Sequence, residues 1–291
     1  MRMIRIILTV IIVINAFLLS GQQKIYIKGT IYDSSTLIPA EYVNVGISGR
    51  NIGTVSCNSG LFELEIPGGL VNDSLTFSKI GYFDLKKSIK VLSKEKPNKI
   101  YIAPKTYQLD QVTIISEHLK EHTKGNKSRS GKIVLGLSKS LSLGREIGTK
   151  IKLPEKDVFL KKFTFHIVYN RPDSARFRLN IYSYDNKINT NILTKNIYFL
   201  IKGNYTGDYS LDLSKYNIVV KGDVFVSLET VAVYISKGPD KEKKNDQYFY
   251  DRINISGTVA GGTCYKREVS QGAWEKVKSF SPGFWLTVLY Y

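Results

Sequence analysis

Leu61-Phe-Glu-Leu-Glu-Ile66 alternates apolar and acidic residues directly after the turn Gly53-Thr-Val-Ser-Cys-Asn-Ser-Gly60. Period-two alternation puts one face of a strand on a core and the other in water. The two glycines are expected to supply the positive φ that tight turns need. The same grammar recurs on both sides. In Lys24–Tyr32, Ile25, Ile27 and Ile31 share a face, and Asp33-Ser-Ser-Thr36 is turn chemistry. Tyr42–Ile47, Ser74–Ser78, Leu85–Leu92 and Lys99–Ile102 read as further strands, with Pro67-Gly-Gly69 as a break. Strands this short and this closely spaced imply an antiparallel sandwich over residues 24–103.

A second series follows. Ile147–Leu153 is a strand that ends at Pro154, and Val158–Tyr169 carries Phe163, Phe165, Ile167 and Tyr169 on one parity. In Ala175–Tyr182, Phe177, Leu179 and Ile181 face inward, and Arg176, Arg178 and Asn180 outward. Asn196–Lys202, Tyr209–Leu213, Ile218–Val220, Asp223–Tyr234, Phe249–Ile255 and Phe284–Tyr291 continue the pattern. Lys237–Gln247 reads as a charged loop. No stretch sustains helical periodicity, so residues 132–291 are expected to form a larger, jelly-roll-like sandwich. Between the two, Ser116–Gly131 is basic and poor in apolar residues, so 104–131 reads as connector and linker.

One resemblance rests on the first series. The order Gly29, Asp33, Pro39-Ala40, Val43-Asn-Val45, Gly53-Thr54, Gly60-Leu-Phe62, Leu64, Leu75, Ser78, Gly81-Tyr82 resembles the carboxypeptidase-regulatory-like domain. That family implies a small transthyretin-like β-sandwich, without catalytic residues, in exported proteins of Bacteroidetes-type bacteria. Cys57-Asn58 departs from its pattern, in which an acidic residue is common in this turn. Leu109–Ile115 is similar to the segment that follows the domain in some TonB-dependent transporters. The residues that remain are too few for a plug and a large membrane barrel. Phe177–Tyr182, Leu211–Tyr216 and Gly222–Leu228 are similar to the region that follows the domain in envelope proteins of unassigned function, and bring no activity with them.

The amino terminus sets the expected compartment. Met1-Arg-Met-Ile-Arg5 is basic, Ile6–Leu19 is almost wholly apolar, and Ser20-Gly-Gln-Gln23 is small and polar. This is the layout of a secretory signal peptide, assigned here to residues 1–21. Its apolar run is shorter than the roughly 20 residues of a membrane helix. The expected mature chain has no transmembrane span and is exported to the periplasm, the outer membrane or the cell surface. The formal charge is +17, from 42 basic and 25 acidic residues. Such a surplus bears on association and not on fold. An exported protein rarely meets nucleic acid, which leaves acidic lipid, polysaccharide or an envelope protein as partners. Cys57 and Cys264 are too few for a disulfide framework.

Chemistry is sparse. His118-Leu-Lys-Glu-His122 fits H-x-x-E-H literally, but the metal chemistry of that motif needs a helix and a third ligand, and the context is linker-like. The remaining histidine, His166, lies on the parity opposite Phe163, Phe165 and Ile167. No serine sits in a nucleophile elbow, and Ala260-Gly-Gly-Thr263 lacks the lysine and helix of a phosphate loop. No catalytic residue, metal ligand or cofactor is therefore assigned. Trp274 and Trp285 are candidate glycan-stacking residues, against the alternative that they fill or edge the sandwich. The expectation is an exported, non-catalytic envelope protein with a binding or structural role. Carbohydrate binding through the second sandwich is one alternative. A hydrolase with unlocated acidic residues is another.

Overall fold

The computed structural model describes residues 24–94, 97–106, 119–138, 142–236, 252–259 and 262–291. The segments 1–21, 109–115 and 237–251 lie outside the described residues. No described helix is long and apolar enough to cross a membrane. The protein is all β and is built as two sandwiches.

The first sandwich contains β1 (Lys24–Asp33), β2 (Asn44–Gly46), β3 (Gly53–Val55), β4 (Leu61–Pro67), β5 (Ser74–Ser78), β6 (Leu85–Ser88) and β7 (Asn98–Ile102). One sheet runs β4-β1-β7 and the facing sheet runs β3-β2-β5-β6. Ile27, Ile31, Val45, Phe62, Leu64, Ile66, Leu75, Phe77 and Ile100 fill the space between them. The alternation of Leu61–Ile66 is realised residue by residue: Phe62, Leu64 and Ile66 are buried, and Leu61, Glu63 and Glu65 are exposed. Two expectations are corrected. β1 pairs with β7 in parallel, from Gly29↔Asn98 to Asp33↔Ile102, so this sandwich is mixed rather than antiparallel. A parallel neighbour needs a long crossover, and the whole second sheet lies between β1 and β7 in sequence. Leu85–Leu92 is not one strand: β6 stops at Ser88, and Ile89–Leu92 make a single helical turn that buries Ile89 and Leu92.

The second sandwich opens with β8 (Lys120–Gly125), β9 (Val134–Gly136), β10 (Glu146–Ile151), β11 (Val158–Asn170) and β12 (Ser174–Tyr184). It continues with β13 (Ile188–Asn191), β14 (Ile197–Lys202), β15 (Gly207–Asp212), β16 (Val219–Val220) and β17 (Val224–Tyr234). β18 (Ile253–Thr258), β19 (Cys264–Arg267), β20 (Glu275–Val277), β21 (Ser281–Pro282) and β22 (Phe284–Tyr290) complete it. A seven-stranded sheet is ordered β13-β12-β17-β10-β19-β20, with β14 also on β12. An eight-stranded sheet is ordered β21-β18-β11-β22-β8, with β15 and β16 on β11 and β9 on β18. Phe163, Phe165, Phe177, Leu179, Val226, Leu228, Phe284, Leu286 and Val288 pack between the two.

The linker expectation fails over Lys120–Gly125. This stretch is an edge strand, paired with β22 from Trp285↔Gly125 to Tyr290↔Lys120. Composition pointed away from order, but an edge strand is held by backbone hydrogen bonds and needs few apolar side chains. Asn126 continues the attachment through Nδ2, which donates to the Ser281 carbonyl at 2.9 Å.

Candidate functional site

Two of the side chains that β12 turns away from its own core, Arg178 and Asn180, do not meet solvent. Arg178 is 1% exposed, Asn180 2%, and their neighbours Glu146 on β10 and Glu229 on β17 are 0% exposed. The sequence reading gave Arg178 and Asn180 the correct parity and no partner. Arg178 finds its partner in the first sandwich, and Asn180 in the carboxylates beside it. Arg178 Nε and Nη2 donate to Glu229 Oε2 at 2.9 and 2.7 Å. The same guanidinium reaches across to the Asn44 Oδ1 atom at 2.6 Å and the Tyr42 carbonyl at 3.1 Å. One buried cation thus joins a carboxylate of the second sandwich to two oxygens of the first.

The layer extends along the sheet. Asn180 Nδ2 donates to Glu146 Oε1 at 2.9 Å and to Glu229 Oε2 at 3.0 Å. Tyr182 and Ser227 also donate to Glu146 Oε1, while Arg267 pairs with Glu146 Oε2. Two arginines and two glutamates therefore neutralise each other inside one layer. Burial, the largest single influence, lowers the Arg178 pKa, but the charges of Glu229, Tyr198 and Glu146 and the hydrogen bond to Glu229 together outweigh it, and the net shift is upward. Arg267 behaves alike beside Glu146. Burial, then the Glu146 charge, pushes the Tyr182 phenol well up. Buried guanidinium groups are costly to desolvate, and Arg178 and Arg267 stay charged because each has a hydrogen-bonded carboxylate partner, while the Tyr182 phenol stays neutral. Glu229 Oε1 and the Tyr198 hydroxyl have no hydrogen-bond partner in the described structure.

Close backbone approach seals the same interface. Gly53 does not have a positive φ; a side chain there would put Cβ 2.0 Å from the Ser270 carbonyl oxygen. Gly46 is likewise only 2.6 Å from that oxygen by the same construction. Gly60 is the residue of the opening turn that uses the left-handed region, at φ 74. So the expectation for Gly60 holds, and Gly53 is needed for a different reason: the second sandwich is in the way. Gly49 N donates to the Gln271 carbonyl at 2.8 Å, and Gln271 Nε2 to Ser78 Oγ at 2.6 Å. Asn196 Nδ2 donates to the Ile80 carbonyl at 2.9 Å. Tyr42, Val55 and Val231 add a small apolar cluster across the seam.

Glu146 and Glu229 share the amide of Asn180, so they are a close carboxylate pair of the kind glycoside hydrolysis uses. Both are fully buried and each is bound by an arginine, so neither carboxylate is open to a substrate in this structure. The arrangement is suited to clamping.

The other candidates disperse. Trp274 is partly buried, with its ring edge-on to Phe225 and Tyr182 at 5.1 and 6.1 Å between centroids and Arg267 at 5.0 Å. Trp285 is 6% exposed and sits on the outer face of the eight-stranded sheet under the Arg129 guanidinium, 5.5 Å from its centroid. The two tryptophans are on opposite faces of the sandwich and do not form one platform. Glu121 and His122 lie on β8, in an extended strand that sends them to opposite sides. Glu121 pairs with Lys161 and His122 stacks on Tyr290, so this half of the H-x-x-E-H match has no helical geometry, and His118 lies outside the described residues. His166 Nδ1 is 2.7 Å from Asp208 Oδ1, but Ser210 Oγ pairs with Thr164 Oγ1 and not with the imidazole. Cys57 is exposed and Cys264 buried, and both are free. Burial pushes the Cys264 thiol up to about 12. Among the described residues no group of three or more His, Cys, Asp or Glu is placed to hold a metal.

Residues 27–114 match the family model of the CarboxypepD_reg-like domain, so the first sandwich carries a carboxypeptidase-regulatory-like domain. No curated protein matches the chain. Among solved structures, the chain is similar to the cysteine protease and lectin-like domains of Cwp84, a surface layer associated protein of Clostridium difficile. That alignment has 7% identity and a TM-score of 0.36, and covers 92% of this chain and 59% of the other. Another structure of the same protease, after propeptide cleavage, aligns at 9% identity and TM-score 0.36 over 91% and 70% of the two chains. A structure of infectious bursal disease virus, Gx strain, aligns at 9% identity and TM-score 0.28 over 92% and 75%. The chain spans 59% of the length of the first of these, and similarity at this level says nothing about what it does.

Proposed function

We propose that this is an exported, non-catalytic protein of a Bacteroidetes-type cell envelope, in which two sandwiches act as one rigid unit with a binding or structural role. The observation that carries this reading is the buried Arg178, which bonds Glu229 in one sandwich and Asn44 and Tyr42 in the other. A seam that buries neutralised charge holds its two halves in fixed register, which suits presentation of a surface more than opening for turnover. The regulatory-like domain supports the non-catalytic part, and the apolar leader supports export. The partner is then an envelope protein or glycan. Two measurements test the proposal. Fractionation with amino-terminal sequencing should recover a chain that has lost about its first 21 residues from a non-cytoplasmic fraction. Incubation of the purified chain with peptide and glycan substrates should give no turnover; turnover abolished by substitution of Glu146 or Glu229 would refute the reading.

A narrower reading, glycan recognition by the second sandwich, is supported by one feature: Trp274 retains partial exposure beside Arg267. Binding on a glycan array that Trp274→Ala abolishes, with the fold intact, would establish it. An array without binding would remove it.

A further inference from the structure

The first sandwich ends in an apolar apex. Leu37 is 64% exposed, Ile38 63% and Phe83 58%. Two turns cross-tied to each other bring them to one end. In the first, Asp33 Oδ1 accepts hydrogen bonds from the Ser35 and Thr36 amides at 2.7 and 3.0 Å, and Leu37 N donates to the Asp33 carbonyl at 2.9 Å. In the second, Tyr82 OH donates to Asp33 Oδ2 at 2.8 Å, and Phe83 N to the Ala103 carbonyl at 2.9 Å. Ser34 N donates to the neighbouring Ile102 carbonyl at 2.9 Å, which closes the set.

This apex is not incidental surface. Leu37 has φ 60, a left-handed conformation that glycine or asparagine adopts far more readily than leucine. The fold accepts that strain and still points a leucine at solvent. Scattered exposed apolar residues need no explanation, but several large ones at one rigid tip mark a contact site. Behind the tip, Tyr32 and Tyr101 stack at 5.5 Å, and Tyr101 is 46% exposed. Amphipathic rings set just behind an apolar tip fit the boundary between acyl chains and headgroups. Lys105 stands over the Phe83 ring at 5.5 Å, and Lys86 and Lys87 follow on the exposed edge strand β6. The nearby Asp33 carboxylate is turned inward onto its own turn and Tyr82, and Asp84 is outnumbered by these lysines. With a formal charge of +17 behind it, the tip is complementary to an anionic surface.

We propose that this apex seats the protein on the surface of an anionic phospholipid bilayer: Leu37, Ile38 and Phe83 enter the interface, and Lys86, Lys87 and Lys105 meet the headgroups. The proposal does not depend on the compartment or on the role of the second sandwich. It is tested with the chain from Gln22 onward, which contains every described residue and lacks the apolar leader. Co-sedimentation with vesicles of equal parts phosphatidylglycerol and phosphatidylcholine should show binding, and pure phosphatidylcholine vesicles much less. Changing Leu37→Ser, Ile38→Ser and Phe83→Ser together should weaken anionic-vesicle partitioning about a hundredfold, with an unchanged melting curve. Three results overturn the proposal. One is no binding to either vesicle. Another is equal binding by both forms, which would mean that diffuse charge suffices. The last is self-association lost in the triple variant without vesicle binding, which would make a second copy of the chain the occupant.

Discussion

The second sandwich has two outer faces, and each carries an arginine–carboxylate pair. On the seven-stranded sheet, Arg178 and Glu229 have side chains 1% and 0% exposed. On the eight-stranded sheet, Arg129 and Asp208 are 56% and 33% exposed, with Arg129 donating to both Asp208 oxygens. The chemistry is alike, and the consequences are not. In water an ion pair gives back most of its attraction to lost hydration and ordered side chains, so the Arg129 pair decorates a surface. Under the first sandwich the same pair has no solvent to return to, and removal of one partner strands the other. The same residue types thus serve as ornament on one face and as a joint on the other.

Breaking the joint should have the largest effect. Arg178→Met leaves Glu229 buried without its cation, and should cost about 3–5 kcal/mol, read from the downward shift of the first urea transition. A companion change, Glu229→Gln, should recover part of that loss in the double variant, because the buried charge goes with it. Next comes Gly53→Ala. Its new Cβ would sit 2.0 Å from the Ser270 carbonyl, so the seam must open locally, at about 1–3 kcal/mol. Circular dichroism should show the strand content of both sandwiches unchanged, since Gly53 lies at the seam and not in either core.

On the open face the expected effects are smaller and depend on pH. Hydrogen bonding from Arg129, with a further bond from His166, holds the Asp208 carboxyl below the usual range despite partial burial. A carboxyl with a depressed folded pKa contributes stability that is complete above its unfolded value of about 3.9 and is lost as pH falls through the folded value. Asp208→Asn should therefore leave the midpoint nearly unchanged at low pH and lower it slightly near neutrality. A large loss at pH 7 would show that the open face carries more of the stability than its exposure implies. Thiol labelling adds a control on the core between the faces: Cys57 should react at neutral pH, and Cys264, with its thiol pushed up to about 12, only on unfolding.

The sequence made the two sandwiches and many of their strands legible, because alternation such as Phe62, Leu64, Ile66 and Phe177, Leu179, Ile181 reports which side of a strand faces a core. It could not report what lies on the other side. Arg178 and Asn44 are 134 positions apart, and nothing local to either marks the contact. Gly53 was a visible signal with an ambiguous cause, since a turn and a close approach both exclude a side chain. β8 was hidden for another reason: Lys120–Gly125 is ordered by the backbone of β22, and backbone pairing leaves no apolar signature. Trp274 and Trp285 stood out as aromatics, but their placement on opposite faces is a property of the closed sandwich and not of their spacing.

Differential scanning calorimetry of the chain and of Arg178→Met tests the central claim that the buried layer makes one unit of two sandwiches. The account predicts a single cooperative transition for the unaltered chain and two separated transitions once Arg178 is replaced. Two independent transitions in the unaltered chain, unmoved by the substitution, would contradict it.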